Sequence, residues 1–593
     1  MSRSHGFSNP SWRYLFLAGA LICIGAATPA SAEVRSPRVV RIPSDVPGSV
    51  GRNYPFFATD IVLKNFGYVE EEFFFEGTAN TYSSAEFGKN AEISGSYPYK
   101  SRFLVRRPAT PSRFNGVVIV EWLNVTNQYD VDVLWLYQKE FFIREGYAWV
   151  GVSVQDTGVS NPMTGLKVWS PKRYGTMDVT ASGKVTGDGL ANDIYGQSAA
   201  AVRKVPEVLG GLRPTYVIAA GQSQSASRLI GYLNAVHHRN PVFDAALLTV
   251  PPSYSPLRED LTIPIITVLS ETERNESRRQ ADLEKLRVWK VTGATHSEQY
   301  SLLSRAAILQ RDLQRDAVDA CATSARSRVE IRFVYNAATD ALVKWKKNGV
   351  APPHSPNLAF DEAAVATREA AAPAAERGGR GRGGGPLLEV IKRDEHGNAI
   401  GGIRLAEIEV PVATESALNC GLGGTHLPFE AAKLNTLYPS HDRYVAKVTT
   451  ASQALVRAGF LLPADAAETI DRAKRSIWGM QLACGPLCAD VYQFPKNPSS
   501  QLLGNQTRFL AIKDGDTLVR IMDGVTKLIA EAYTPGNAAN GKEKFEDAAT
   551  GIQSYIDQTR KLAARGNMPP ETEKLLLNQA TTLMDLVRKA VPR

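Results

Sequence analysis

No apolar run in the 593 residues reaches the roughly 20 that a membrane span requires. Tyr14–Ala27 ("YLFLAGALICIGAA") comes nearest and falls short. Basic blocks with interleaved aromatics are also missing. The net charge of +8 is spread along the chain, so nucleic-acid binding has no specific support. Cysteine is scarce, at five. Cys484 and Cys488 have no second Cys/His pair at ligand spacing, which makes a zinc site the weaker alternative for them. No metal or organic cofactor is implied.

With 44% apolar and 22% charged residues, the composition is that of a globular protein. The length exceeds one compact core and is enough for two or three domains. The N-terminus reads as a targeting segment. Arg3 and Arg13 precede the apolar run, and Ala30-Ser31-Ala32 offers a cleavage site before Glu33. Residues 1–32 are therefore expected to be a signal peptide, with the mature chain exported to the periplasm or secreted. A transmembrane anchor is the competing reading. Cleavage would leave Cys321, Cys420, Cys484 and Cys488, which an oxidising compartment would favour as disulfides, with three connectivities open. A local bridge within "CGPLC" is plausible.

Between about residues 100 and 300, strand-like and helix-like patterns alternate. Apolar strands are expected at 115–124, 147–155, 215–221, 243–250, 263–270 and 286–293, and helices at 133–146, 195–211 and 225–238. Continuous apolar strands alternating with helices mean an α/β architecture, a mostly parallel sheet with helices on both faces. Residues 156–192, rich in Gly, Ser, Thr and Asp, read as a loop excursion over the sheet, with a lid role guessed from position. The low-complexity stretch 363–386 reads as a solvated insertion. Segment 394–405 reads as a turn between short strands. Three helix-like runs at 517–533, 543–566 and 570–590 form a C-terminal helical appendage, with apolar stripes that suit a core of its own.

The chemistry centres on "TYVIAAGQSQSASRLI" (215–230). A nucleophilic serine on a strand-to-helix turn usually sits in G-x-S-x-G. Here Gly221 supplies the first glycine, and Ser225 stands in the second one's place around Ser223. The partners follow in the order Ser, acid, His. "IPIITVLSETE" ends in Glu271 and Glu273, and "LRVWKVTGATH" ends in His296, each just past a strand's C-terminal end. Ser270 takes the glycine's place in the h-G-x-x-D turn, so Glu273 falls on the acid position, and Glu271 remains an alternative. His426 in "GGTH" is a rival to His296, with no clear strand before it. His237 and His238 are read as favouring a helix C-terminal dipole. Of two backbone donors for an oxyanion, one is expected from Gln224 and the other from Asn124 or Val125. Glu121, Asn124 and Asp130 have a second reading, as residues that shape the pocket or cap the next helix.

These motifs resemble the bacterial alpha/beta hydrolase domain-containing family, an esterase-like group. The likeness is carried by "EWLNV" (121–125), "YVIAAGQSQSASRL" (216–229), "SETE" (270–273) and "GATH" (293–296). It extends to "YNAATDALVKWKKNGVAPP" (335–353), "DEHGNAIGGIRLAEIEVPVA" (394–413) and "LYPSHDRYVAKV" (437–448). The resemblance implies an α/β-hydrolase domain over 33–475, interrupted by 363–386, with the mainly helical 476–593 outside it. It implies Ser223 as nucleophile, His296 as base and an acid within 270–273. The expected activity is serine hydrolysis of a small-molecule carboxylic ester. A peptidase, an acyltransferase and a silent binding protein on the same fold are the alternatives.

Overall fold

A computed structural model describes residues 36–49, 52–61, 63–252, 255–273, 280–315, 326–361, 391–418, 420–474, 512–532, 538–568 and 570–590. The expected signal peptide, the low-complexity insertion, Cys321, Cys484 and Cys488 lie outside them. Cys420 is disulfide-bonded, to a partner outside the described residues. Among the described residues, no helix is long and apolar enough to cross a membrane.

Nine strands form one sheet: β1 (Arg38–Ile42), β2 (Tyr68–Tyr82), β3 (Ile93–Pro108), β4 (Val117–Trp122), β5 (Ala148–Ser153), β6 (Tyr216–Gln222), β7 (Ala245–Thr249), β8 (Ile265–Ser270) and β9 (Leu286–Val291). Their order is β1-β2-β3-β5-β4-β6-β7-β8-β9. The six strands β4 to β9 are parallel, and β1, β2 and β3 add an antiparallel flank. Every residue of β4, β5, β7, β8 and β9 is buried, because helices cover both faces. On one face lie α5 (Ala191–Lys204) and α6 (Gln224–Ala235), packed on Val118, Val120 and Trp122. On the other lie α1 (Val133–Glu145) and α9 (Ile331–Asn348), packed on Val117, Ile119 and Trp289.

The excursion at 156–192 is a packed wall rather than a bare loop. It folds into α2 (Asp156–Ser160), α3 (Leu166–Trp169) and α4 (Pro171–Tyr174) before α5 begins. Leu166 and Tyr174 are fully buried. Trp169 Nε1 donates to Asp312 O at 2.9 Å, which ties the wall to α8 (Ala306–Leu313), the helix that follows the short α7 (Gln299–Leu303). Tyr174 and Arg173 both bond the carboxylate of Glu72 on β2.

The 394–405 segment turns as expected, with isolated bridges at Arg393–Ala399 and Leu358–Gly401. A two-stranded sheet, β10 (Ala413–Ser416) and β11 (Thr425–Pro428), follows. The three C-terminal helices run Asp516–Ala532, Ala538–Ala564 and Pro570–Ala590. Their core is shared: Leu518, Met522, Ile552 and Leu583 cluster with Ala406, Val410, Phe429 and Tyr438.

Candidate active site

Ser223 sits between the end of β6 and the first residue of α6, with φ 59° and ψ −125°. This is a costly conformation for a non-glycine residue, of the kind that persists only where its surroundings enforce it. Two hydrogen bonds help do so. Ser223 N–H donates to Thr249 O at 2.8 Å, at the tip of β7. Asn124 Nδ2 donates to Gln222 O at 3.0 Å. The α6 helix takes the chain away at once, so Gly221 faces Ser225. A Cβ on Gly221 would lie 3.0 Å from the Ser225 carbonyl carbon and oxygen, which is why that place needs glycine. Ser225, by contrast, is buried with its Oγ unbonded, so the site accommodates the extra atoms there.

A hydrogen-bonded chain runs from this serine. Ser223 Oγ lies 2.7 Å from His296 Nε2, and His296 Nδ1 lies 2.6 Å from Glu273 Oε1. An ionised carboxylate can only accept, so Nδ1 carries the proton and Nε2 accepts from the serine hydroxyl. Ser223, His296 and the Glu273 side chain are each less than a tenth exposed. Such a chain can draw the proton from a hydroxyl that attacks an acyl carbon.

The structure brings Glu273 to the histidine and takes Glu271 elsewhere. Glu273 Oε2 accepts from the Ser270 backbone N–H at 3.0 Å and from its hydroxyl at 2.6 Å. The serine that replaces the expected glycine therefore holds the acid. Its neighbour Thr272 accepts from His296 N–H at 3.1 Å. Glu271 is fully buried beneath the turn. It accepts from Gly293 N–H at 2.9 Å and pairs with Arg393 at 2.5 Å. Turn geometry points its carboxylate away from the imidazole, into the contact between the β8 and β9 ends and the 391–418 segment. Gly293 has φ 71°, and a Cβ there would strike Ile408.

His426 is no rival partner for Ser223. It lies within β11, and its Nδ1 is 2.5 Å from Glu415 Oε1 on β10. Its "GGTH" turn instead braces the histidine loop. Thr295 Oγ1 donates to Gly423 O at 3.1 Å, and Ser297 N–H to Leu422 O at 3.0 Å. Burial pushes the His237 imidazole down to about 4, with His238 beside it adding to the fall. It is therefore neutral at pH 7 and serves no helix dipole, contrary to the expectation.

Asn124 fails as an oxyanion donor through its backbone, because its N–H is taken by Val131 O at 3.0 Å in a tight hairpin. The backbone N–H groups of Val125 and Gln224 bond no described residue. Gln224 opens α6, where the first N–H groups have no intrahelical acceptor. Glu121 caps the helix that follows: its carboxylate accepts from Leu134 N at 2.8 Å, Trp135 N at 3.2 Å and Trp149 Nε1 at 2.8 Å. Burial pushes its carboxyl up to about 8 against the pull of these donors. Asp130 bonds Ser153 Oγ at 2.5 Å and faces Arg102.

A serine strained onto a strand-to-helix turn, over a parallel sheet of this order, defines an α/β-hydrolase fold. The chain belongs to the alpha/beta hydrolase domain family, whose model matches residues 40–471. No curated protein matches it. Similar solved structures include a glucuronoyl esterase from Solibacter usitatus, at 9% identity and TM-score 0.23, covering 43% of this chain and 72% of that one. An esterase from Butyrivibrio proteoclasticus bound to ferulic acid is similar at 12% identity and TM-score 0.21, covering 37% and 97%. An esterase from Pyrococcus furiosus is similar at 10% identity and TM-score 0.22, covering 40% and 85%.

Proposed function

We propose that this protein is a serine hydrolase of carboxylic esters that works through an acyl-enzyme on Ser223. The observation that carries the reading is the continuous Ser223–His296–Glu273 chain, with 2.7 and 2.6 Å links, on a strained elbow. His296 takes the serine proton as Oγ attacks the carbonyl carbon. The tetrahedral oxyanion is met by the Gln224 and Val125 N–H groups. His296 then protonates the leaving alcohol, and the same imidazole activates the water that frees the acid. Glu273 holds the ring and balances its cation. The proposed steps use these side chains, the two backbone N–H groups and water.

We read the protein as exported. The 14–27 apolar run and the Ala30-Ser31-Ala32 site support this, as does the disulfide at Cys420. N-terminal sequencing of the mature protein is expected to begin at Glu33.

The functional test is a panel of p-nitrophenyl esters. Ser223→Ala is expected to lower kcat by roughly 10⁴-fold or more with an unchanged melting curve. A variant that keeps wild-type turnover sinks the reading.

A further inference from the structure

Among the described residues the buried arginines are ion-paired, except Arg287, whose guanidinium donates to the backbone carbonyls of Pro352, Leu283 and Leu286. Arg102, Arg106, Arg173 and Arg332 each meet carboxylates within 3 Å. Arg305, the residue just before α8, forms no ion pair with any described residue, and its Nε is sealed from solvent with no hydrogen-bond partner. Leaving a guanidinium half-buried without a counter-charge is costly unless a ligand supplies one.

Its position is informative. Arg305 lies within electrostatic reach of Tyr129, Tyr137, Glu298 and Arg326. Tyr129 belongs to the 124–131 hairpin that presents Val125 N–H. Glu298 is two residues past His296. Arg326 grips Ser297 O at 2.8 Å, directly beside His296. Arg305 is thus within electrostatic reach of residues on both the hairpin of the second oxyanion donor and the loop of the histidine. Glu298, the one carboxylate in that group, does not neutralise it. Its Oε2 accepts from Tyr137 O–H at 2.8 Å, its Oε1 has no partner, and burial pushes the carboxyl up to about 8. Tyr129 is buried, yet its hydroxyl bonds no described residue.

We propose that Arg305, together with the Tyr129 hydroxyl, binds a carboxylate carried by the substrate, so that this hydrolase acts on esters bearing a free carboxylate, such as monoesters of dicarboxylic acids. A guanidinium and a hydroxyl within electrostatic reach of each other offer the donors that a planar carboxylate accepts. The proposal rests on the ester-hydrolase reading.

The test compares p-nitrophenyl monoesters of glutarate with p-nitrophenyl valerate, of similar length and no charge. The wild type is expected to favour the anionic ester in kcat/KM by about 10-fold or more, Arg305→Gln to bring the ratio toward one, and Arg305→Lys to restore part of it. A ratio that Arg305→Gln leaves unchanged, or a wild type that prefers valerate, overturns the proposal. A second measurement needs no turnover: calorimetric binding of glutarate to Ser223→Ala and to Ser223→Ala/Arg305→Gln. Weaker binding by about 10-fold in the double variant supports the site. Equal binding in both, or none in either, overturns it. If neither ester is hydrolysed while glutarate binding depends on Arg305, the ester reading fails and the carboxylate site stands.

Discussion

Glu271 and Glu273 stand two residues apart on one turn, and their surroundings give them different work. Glu273→Gln is expected to lower kcat by roughly 10³-fold or more while leaving stability nearly intact, because the amide can no longer hold the imidazole in its required tautomer. Glu271→Gln breaks a buried pair with Arg393, so it is expected to lower stability by about 3 kcal/mol. Its effect on kcat is expected to be much smaller. Kinetics beside chemical denaturation check both, and an equal kcat loss in the two variants contradicts the assignment. The order Ser, acid, His was legible in the sequence, because each residue follows an apolar strand. The choice of carboxylate was not, since it depends on which way a turn points side chains that have no periodicity. Asn124 was misread for a similar reason: its N–H is consumed by Val131, a pairing that only the folded hairpin reveals.

His237 supplies a pH signature at the same scale. Its imidazole, pushed down to about 4 by burial, is neutral in the fold, whereas the unfolded chain titrates near 6.5. Between those values the unfolded state binds the extra proton. Stability is therefore full above about 6.5 and falls with acidification toward 4, by about 2 kcal/mol at pH 5. His237→Phe is expected to flatten that limb in melts from pH 7 to 4.5. An identical slope contradicts the assignment.

At the scale of elements, β4 to β9 with α1 and α6 could be read from sequence almost residue for residue. Strands buried on both faces write continuous apolar runs, and Gly146 and Ser223 mark where the pattern changes. The long strands β2 and β3 were not legible. They carry the charged residues Glu70, Glu72, Arg102 and Arg106, which interrupt an apolar pattern, yet Glu72, Arg102 and Arg106 are almost fully buried and paired. Arg106 lies over the rings of both Trp135 and Trp149, at 4.6 and 4.7 Å from their centroids, and bonds Glu70, Asp132 and Phe57 O. Arg106→Leu strands two carboxylates and is expected to cost roughly 3–5 kcal/mol. Urea denaturation that shows a loss below 1 kcal/mol contradicts this account of how the antiparallel flank is held.

At the scale of the whole molecule, the three C-terminal helices were legible as helices, and their apolar stripes as a core. Their docking was not, because the partners Ala406, Val410, Phe429 and Tyr438 lie in a segment with weak periodicity. The last helix also packs beside α8, the element that Arg305 precedes. Met522 is fully buried in the shared core. Met522→Asp is expected to destabilise by about 3 kcal/mol or more, since it buries a charge without a partner. Unfolding that keeps the wild-type midpoint indicates that the helices and the 406–438 segment do not share a core.

The central claim is that Ser223 is the nucleophile, and it is tested most directly by labelling the folded protein with a fluorophosphonate and mapping the modified peptide. The account predicts one label, on Ser223, that is lost in Ser223→Ala. A folded wild type that takes no label, or a label that persists in Ser223→Ala, contradicts it.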